Sequence, residues 1–456
     1  MLEVVILAAG EGRRMNSSLP KVLQPLGGRP MLSRLLETVR ALGPNAIHMV
    51  VGAGAEQVRQ VVADDAGGDG IRWVLQTRRR GTGDALAQAL PDIDARSRVV
   101  VLPGDMPLIR AGTLKALLQL DADLAVLGFV ADDPTGYGRL VREGERVAAI
   151  VEEKDASASQ KRIREVNSGV MCARAGDFSD WLKQTDCNNA QGEYYLTDCV
   201  GVATAGGRQV AAVLADDAGE LLGANDRIQL AALEQIWQQR ARRALMTAGV
   251  TLLDPVLVHV RGQVIAGRDV QIDINVVLEG DNRLGDDVSI GAGCVLRNCD
   301  LAAGTRVEPL SVLEGVRTTG ACRIGPFARL RPDTELAVGV RIGNFVELKN
   351  ARLDKGAKVS HLSYIGDAQV GCRANVGAGT ITCNYDGVNK HRTTIGDDAF
   401  IGSNSALVAP VDIGRGATIG AGSVITANAP QGQLTLSRVP QRSLEGWKRP
   451  RRRKND

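Results

Sequence analysis

"IGDDAFIGSNSALVAPVDIGRGATIGAGSVIT", residues 395–426, carries an aliphatic residue at Ile395, Ile401, Leu407, Ile413, Ile419 and Ile425. A helix repeats its apolar face every 3.6 residues and a strand every two, so a period of six fits neither as a simple amphipathic element. Small residues recur four places after the aliphatics, at Ala399, Ser405, Val411, Ala417 and Ser423, and a glycine directly follows four of them, at Gly396, Gly402, Gly414 and Gly420. The same beat occurs at Ile272, Leu278, Leu284, Ile290 and Leu296, and again at Ile324, Leu330, Leu336, Ile342 and Leu348, with slips of register between the runs. Six residues then make one side of a polygonal coil. A single coil buries little, so stacking must supply the core, and roughly ten coils fit between residues 251 and 437.

This two-position signature resembles the hexapeptide repeat of left-handed parallel β-helices. The resemblance implies three short strands per triangular coil, with the aliphatic pointing into the prism and the small residue near a corner. Its handedness is an exception to the right-handed crossover rule, taken from the resemblance and not from the period. Chemistry is expected where the beat fails, most heavily between Leu348 and Ile395.

At 456 residues, 44% hydrophobic and 23% charged, the chain has the length of two or three domains, and no apolar run is long enough to span a bilayer. "MLEVVILAAG" has no basic leader and runs straight into a strand and a glycine turn, so it reads as folded protein, and a cytoplasmic location is expected. Eight cysteines, at 172, 187, 199, 294, 299, 322, 372 and 383, form no CxxC pair, which argues against zinc and against a disulfide framework. The net charge of +3 is too small to imply nucleic acid. The tail "KRPRRRKND" gathers Lys448, Arg449, Arg451, Arg452, Arg453 and Lys454 and reads as a solvated, disordered end, with attraction of a small anion or, secondarily, of RNA as the functional alternative.

Residues 1–225 alternate strands with helices: "VVIL", "PMLSRLLETVRALG", "AIHMVV", "EQVRQVVADD", "IRWVLQ", "GDALAQAL" and "RVVVL". Parallel strands with helical crossovers collect ligands at the carboxyl ends of the strands. In "LAAGEGRRM", Gly10 and Gly12 let backbone amides turn toward phosphate oxygens, while Arg14 and Lys21, the latter in "LPKVLQPL", add positive charge. A dinucleotide fingerprint needs glycine where Met15 stands, and a P-loop needs a Gly-Lys-Ser/Thr that is absent. In "VLPGDMPL", Asp105 stands just past an apolar run, either as a Mg²⁺ ligand or as a turn cap. "NDRIQLAALEQIWQQRARRALMTAG" reads as one long helix, residues 226–249, with Asn225 or Asp226 as its cap and Gly249 at its end. Its Ile228, Leu230, Leu233, Ile236 and Trp237 are expected to pack on the first domain. Residues 250–456 form the β-helical domain.

The first stretch resembles the sugar-nucleotide pyrophosphorylase signature, "LxxGxGxxM" followed by "PK". With "QTRRRGTGDA", "DDPTGYGRL", "IVEEKDA", "REVNSGV" and "LGANDRIQL" in this order, ahead of the hexapeptide domain and "SRVPQ", the whole chain resembles one bacterial family. Its members are bifunctional, with glucosamine-1-phosphate N-acetyltransferase and N-acetylglucosamine-1-phosphate uridyltransferase activities, and they make UDP-N-acetylglucosamine for peptidoglycan and lipopolysaccharide precursors. The resemblance implies an α/β Rossmann-like nucleotidyltransferase domain followed by the left-handed parallel β-helix. It implies that Leu7, Ala8, Ala9, Gly10 and Lys21 hold UTP, that Gln76, Gly81 and Thr82 read the uracil, and that Gly104 lies beside the nucleotide. Gly138, Glu152 and Asn167 would hold the N-acetylglucosamine moiety, and Asp105 and Asn225 would ligate Mg²⁺.

In the second domain His361 would be the general base for glucosamine 1-phosphate, which Arg331, Lys349, Tyr364 and Asn375 would bind, with Tyr364 also a catalytic residue that orients the amine. Ala378, Asn384, Tyr385, Ser403, Ala421 and Arg438 would line acetyl-CoA. Read locally, His361 in "KVSHLSYIGD" is as well explained as a structural histidine, and His48 and His259 read as packed imidazoles within apolar strands. The insertion at residues 380–394 suits contact with a neighbouring prism, and the family implies a homotrimer; no nucleic-acid or membrane partner is expected. Two departures from the family pattern stand beside the nucleotide: Arg13 where threonine is usual, and Pro103 where tyrosine is usual. Rival readings are a single-activity nucleotidyltransferase whose β-helix only assembles it, a scaffold without catalysis, and a β-helical carbonic anhydrase, which four dispersed histidines disfavour.

Overall fold

The computed structural model describes residues 1–450 except 11, 53, 69 and 145. Lys448 and Arg449 are exposed, while Arg451, Arg452, Arg453 and Lys454 lie outside the described residues. The chain forms two compact units, Met1–Arg240 and Ala241–Asp456.

In the first unit the apolar runs become strands β1 (Leu2–Ala8), β2 (Ala46–Val51), β3 (Ile71–Leu75), β4 (Arg98–Pro103), β5 (Leu124–Val130), β6 (Arg139–Glu143), β7 (Arg146–Val151), β8 (Glu165–Arg174) and β9 (Val210–Leu214). Helices α1 (Met31–Arg40), α2 (Ala55–Ala66), α3 (Thr82–Ala89), α4 (Ala111–Leu118), α5 (Ala175–Leu182) and α6 (Asp198–Ala205) cover the sheet. Alternate residues of β1 face opposite ways: Val4 and Ile6 meet α1, α2 and α4, whereas Val5 meets α3, α5 and α6. The sheet runs in the order β9-β5-β8-β4-β1-β2-β3.

The sheet is mixed. β8 runs antiparallel to both β4 and β5, because the described residues between β5 and β8 form no crossover helix. The β6–β7 hairpin occupies that stretch, and its β6 also pairs antiparallel with β8. A parallel return would need a crossover of a dozen or more residues, usually a helix.

Helix α7 (Arg227–Thr247) settles its own cap. Asp226 accepts the Gln229 N–H at 2.8 Å, and the Gln229 side chain accepts the Asn225 N–H at 2.7 Å, a reciprocal cap that leaves the Asn225 side chain for other work. Gly249, at φ 96°, ends the helix. Leu233 is buried with Met15, Leu26, Met31 and Leu108, and Leu230, Ile236 and Trp237 pack beside it. Ile228 does not join them: it is 83% exposed, being two residues and some 200° around the helix from Leu230.

The second unit is a parallel β-helix, its strands forming ladders of eleven and fifteen. Three columns of inward side chains fill the prism. One holds Ile272, Ile290, Val307, Ile324, Ile342, Val359, Val376, Ile401 and Ile419. A second holds Leu278, Leu296, Leu313, Leu330, Leu348 and Ile365, and a third Leu336, Leu353, Val370, Ile395 and Ile413. The repeating glycines answer a contact. A Cβ on Gly396 would lie 2.6 Å from the Arg415 nitrogen, and one on Gly402 would lie 2.4 Å from the Ala421 nitrogen, because stacked coils approach to one strand spacing.

The break in the beat is narrower than its sequence reading. Slips arise where a column residue returns after 17 residues instead of 18, as from Ile342 to Val359 and on to Val376. Thr382 then takes an aliphatic slot, buried, with its hydroxyl donating to the Gly366 carbonyl at 3.1 Å. Within the break, the stretch between Cys383 and Thr393 leaves the prism, closed by an antiparallel bridge between Tyr385 and Lys390. His48 is fully buried and donates to Glu3 at 2.6 Å. His259 is exposed, because its neighbours Val258 and Val260 take the inward positions. Among the described residues no helix is long and apolar enough to cross a membrane.

Leu348 is fully buried in the second column. Leu348→Ala is expected to cost about 2–5 kcal/mol, read as a lowered midpoint for unfolding of the β-helix in denaturant.

Candidate active sites

In the first unit the loops after β1, β3, β4 and β7 surround a cavity of about 380 Å³. Leu7, Ala9, Gly10, Lys21, Gln76, Gly81, Thr82, Asp105, Glu152 and Asn167 line it, which brings together most of the residues expected there. Ala8 is buried beneath it, and Gly104 donates its N–H to the Leu7 carbonyl at 2.9 Å. Gly138 stands behind Glu152, its carbonyl taking the Asn167 N–H at 2.8 Å. Asn167 opens a bulge in β8, and its side chain accepts the Gly169 N–H at 3.0 Å, which turns the strand at the cavity wall.

The Lys21 ammonium is the focus of this site. It donates to Asp105 Oδ2 at 2.5 Å and to Asn225 Oδ1 at 3.0 Å. Two oxygens from distant parts of the chain thus converge on one cation, and one carboxylate with one amide oxygen suits Mg²⁺, which leaves other positions to water and phosphate. Gly12, at φ +63°, is fixed by the same lysine, since a Cβ there would lie 2.6 Å from Lys21 Cβ.

Gln76 donates to Asp84 at 2.7 Å and to the Gly81 carbonyl at 3.3 Å. Gly81, at φ +107°, has no room for a Cβ, which would sit 2.4 Å from the Tyr194 carbonyl. Thr82 accepts the Leu196 N–H at 3.0 Å. Burial pushes the Glu152 carboxyl above its ordinary range, against the opposing effect of Thr197, whose hydroxyl donates to it at 3.0 Å.

Arg13 and Arg14 are exposed, and neither lines the cavity. Pro103 does line it, with its ring 3.0 Å from a Cβ placed on Gly169. Pro103 stays in register with Leu7 of β1, and its missing N–H costs no ladder bond toward β8, since the β4–β8 ladder ends at Val101 and Met171. Arg79, Glu193 and Thr197 also line the cavity and were not singled out in the sequence. Thr197 sits in "GEYYLTD", whose polar residues carry no spacing signal of their own.

On the second unit His361 pairs in register with Asn344, and its Nδ1 lies 2.5 Å from Asn344 Oδ1. With the amide oxygen as acceptor, Nδ1 carries the proton and the Nε2 lone pair is left free. In the same register as their strands, His361, Ala378, Ser403 and Ala421 occupy one edge of the prism on successive coils. Arg438 donates to the Ala421 carbonyl at 2.8 Å on that edge.

Around the corner Arg331 and Lys349 lie on adjacent coils, the Arg331 N–H meeting the Leu348 carbonyl at 2.9 Å. Lys349, Lys390, Arg352 and Arg392 with Asp333 and Asp367 line a second cavity of about 580 Å³. Asp367 accepts from Asn350 at 2.7 Å and from Asn384. Burial opposes its ionisation, but these amides with Lys349 and Lys390 outweigh it and hold the carboxyl below its ordinary range. The Tyr364 hydroxyl lies over Gly366, where a Cβ would be 2.4 Å away. Tyr385 is exposed, and Asn375 stands on the face before the corner, pairing with Lys358 and Phe400 and outside this cavity's lining. Lys390 and Asp367 escaped the sequence reading, because an insertion and a corner carry no periodic signal.

Residues 4–252 match the family model of the MobA-like NTP transferase domain, and residues 392–427 match that of the hexapeptide repeat of succinyl-transferase. The chain is 54% identical over 454 residues to the "Bifunctional protein GlmU" of Alkalilimnicola ehrlichii, covering 99% of this chain and 97% of that one. It is 54% identical over 452 residues to the protein of the same name from Stutzerimonas stutzeri, covering 98% and 99%. With that of Stenotrophomonas maltophilia it shares 54% over 450 residues, 98% of each chain.

The glycines of the first loop separate strain from space. Gly12→Ala is expected to lose about 1–2 kcal/mol from the left-handed backbone alone, plus the clash with Lys21. Gly10→Ala, with nothing within 4 Å of its Cβ, is expected to melt close to the parent in denaturant titration.

Proposed function

Since this chain belongs to the family of bifunctional GlmU proteins, we propose that its two sites act in sequence, acetylation on the second unit and uridylyl transfer on the first. The first unit is a uridyltransferase, the second a hexapeptide acetyltransferase, and together they serve UDP-N-acetylglucosamine biosynthesis. The observation that carries the assignment of residues is the convergence of Lys21, Asp105 and Asn225 in one cavity, together with the alignment of His361 with Ala378, Ser403 and Ala421 along one prism edge.

At the first site the phosphate oxygen of N-acetylglucosamine 1-phosphate attacks the α-phosphorus of UTP and expels pyrophosphate. No protein nucleophile is required, so positioning and charge neutralisation supply the catalysis. The backbone of Leu7, Ala8, Ala9 and Gly10 holds the nucleotide, while Gln76, Gly81 and Thr82 read the base. Glu152 and Asn167, backed by Gly138, hold the sugar. Lys21 neutralises phosphate charge, and Arg14 contributes only as a charge at the rim. Mg²⁺, held by Asp105 and Asn225, would supply charge neutralisation across the phosphates when bound.

At the second site the free Nε2 of His361 takes a proton from the amine of glucosamine 1-phosphate as that amine attacks the thioester carbonyl of acetyl-CoA, with the CoA thiolate leaving. Arg331 and Lys349 bind the phosphate, with Tyr364 and Asn375 beside the sugar. Acetyl-CoA follows the edge through Ala378, Ser403, Ala421 and Arg438, with Asn384 and Tyr385 at the insertion. Eight free cysteines support a cytoplasmic location.

A homotrimer is supported by a feature of the same prism corner. Leu310, Phe327, Phe345 and Leu362 stack there on four successive coils, all with positive φ and all exposed. Left-handed backbone costs about 1 kcal/mol or more per such residue, and solvent-facing apolar side chains return nothing for it, whereas a neighbouring copy would. Phe327 and Phe345 stack with ring centroids 5.2 Å apart.

His361→Ala is expected to lower acetyl transfer about 10²–10⁴-fold and to leave uridylyl transfer intact, while Asp105→Ala does the reverse. Separate assays with glucosamine 1-phosphate plus acetyl-CoA and with N-acetylglucosamine 1-phosphate plus UTP read both, and equal losses in the two would sink the two-site assignment. Phe345→Asp is expected to reduce the sedimenting species to monomers; an unchanged mass would remove this corner from the interface.

A further inference from the structure

Arg227, the first residue of α7, does not line the cavity, yet it ties together the parts of the chain that carry its charges. Its Nε donates to the Met15 carbonyl at 3.1 Å, at the end of the glycine loop. Its Nη1 donates to Gln24 Oε1 at 2.7 Å, three residues after Lys21. Gln24 is buried, and its amide nitrogen donates to the Leu19 carbonyl at 3.1 Å and the Ser17 hydroxyl at 3.2 Å, so both ends of the segment bearing Lys21 are held. The Gln24 N–H meets the Lys21 carbonyl at 3.1 Å, closing the turn around the lysine. On the other side, Arg227 stands two residues after Asn225, the oxygen to which Lys21 donates.

We propose that Arg227 is a positioning residue for uridylyl transfer, acting through Lys21: its guanidinium fork sets the distance between the Lys21 segment and the Asn225 end of α7. This rests on the assignment of Lys21, Asp105 and Asn225 to the uridyltransferase site. The geometry demands arginine in particular. Two donors of one rigid plane reach two acceptors on different turns, and a lysine ammonium on a flexible stem cannot reproduce that fork. Arg227 is itself exposed, so its loss opens no core cavity. What changes is the placement of Lys21 against Asp105 and Asn225, and a misplacement of this kind costs catalysis more than stability.

The experiment uses the full chain and four proteins: parent, Arg227→Ala, Lys21→Ala and the double variant, with Arg227→Lys as a fifth. Arg227→Ala is expected to lower kcat/KM for uridylyl transfer about 10–100-fold and to raise the Mg²⁺ concentration at half-maximal rate, with acetyl transfer of the same preparation unchanged. Arg227→Lys recovers little of the loss. In the Lys21→Ala background the loss of Arg227 costs less than about threefold, because the group it positions is gone. Fully additive losses, or an Arg227→Ala rate within twofold of the parent, would overturn the role of Arg227 while leaving the site assignment standing. A Lys21→Ala variant as active as the parent would overturn the site assignment and this proposal with it.

Discussion

A coil of seventeen or eighteen residues buries three aliphatic side chains, one for each face, and gains a core only by lying against the next coil at one strand spacing. That constraint shapes the whole second unit. It requires glycine where backbones cross, as at Gly396 and Gly402, and it lets Thr382 replace an aliphatic residue because its hydroxyl finds the Gly366 carbonyl. It also confines polar and catalytic side chains to the corners and to the outward positions of the strands, such as Arg297 and Glu314, where they leave the core undisturbed. His361 sits at such a corner, next to Leu362, and the exposed apolar ladder runs along the same edge. The proposed chemistry and the proposed association therefore share one edge of the prism.

The first unit solves a different problem. Its sheet buries both faces, so functional groups collect past the ends of the strands, where backbone groups are not used in ladders. The charges there are balanced locally. Lys21 is held between Asp105 and Asn225, which keeps the two oxygens close together. Glu152, kept from water and turned by Thr197, gives the opposite wall an acceptor whose carboxyl is harder to ionise than an ordinary one. The antiparallel β8, which carries the bulge at Asn167, runs that way because the β6–β7 hairpin stands where a crossover helix would.

The two cavities differ in charge. Lys349, Arg352, Lys390 and Arg392 outnumber Asp333 and Asp367 in the second, which suits a small phosphate held without a metal. In the first, Asp105, Glu152 and Glu193 outnumber Lys21 and Arg79, which suits phosphates that arrive with a divalent cation. Asp367, held ionised by two amides and two lysines, spends the Asn384 nitrogen and leaves its oxygen for other partners.

The sequence alone determined the architecture of both halves, because periodicity is local: a beat of six or an alternation of strand and helix is written in consecutive residues. Much of the candidate site was legible too, but through the family resemblance: Lys21 stands in a recognisable stretch, whereas Asp105 reads locally equally well as a turn cap and His361 equally well as a structural histidine. Tertiary structure decided what periodicity cannot encode. Whether Asn225 or Asp226 capped α7 depended on Lys21, some two hundred residues away, drawing the Asn225 side chain. Ile228 faced solvent and His259 faced outward because burial is set by what lies opposite, not by the residue's own character. The breadth of the break before Ile395 was overstated for the same reason: a coil shorter by one residue keeps its inward columns in three dimensions while losing step in one.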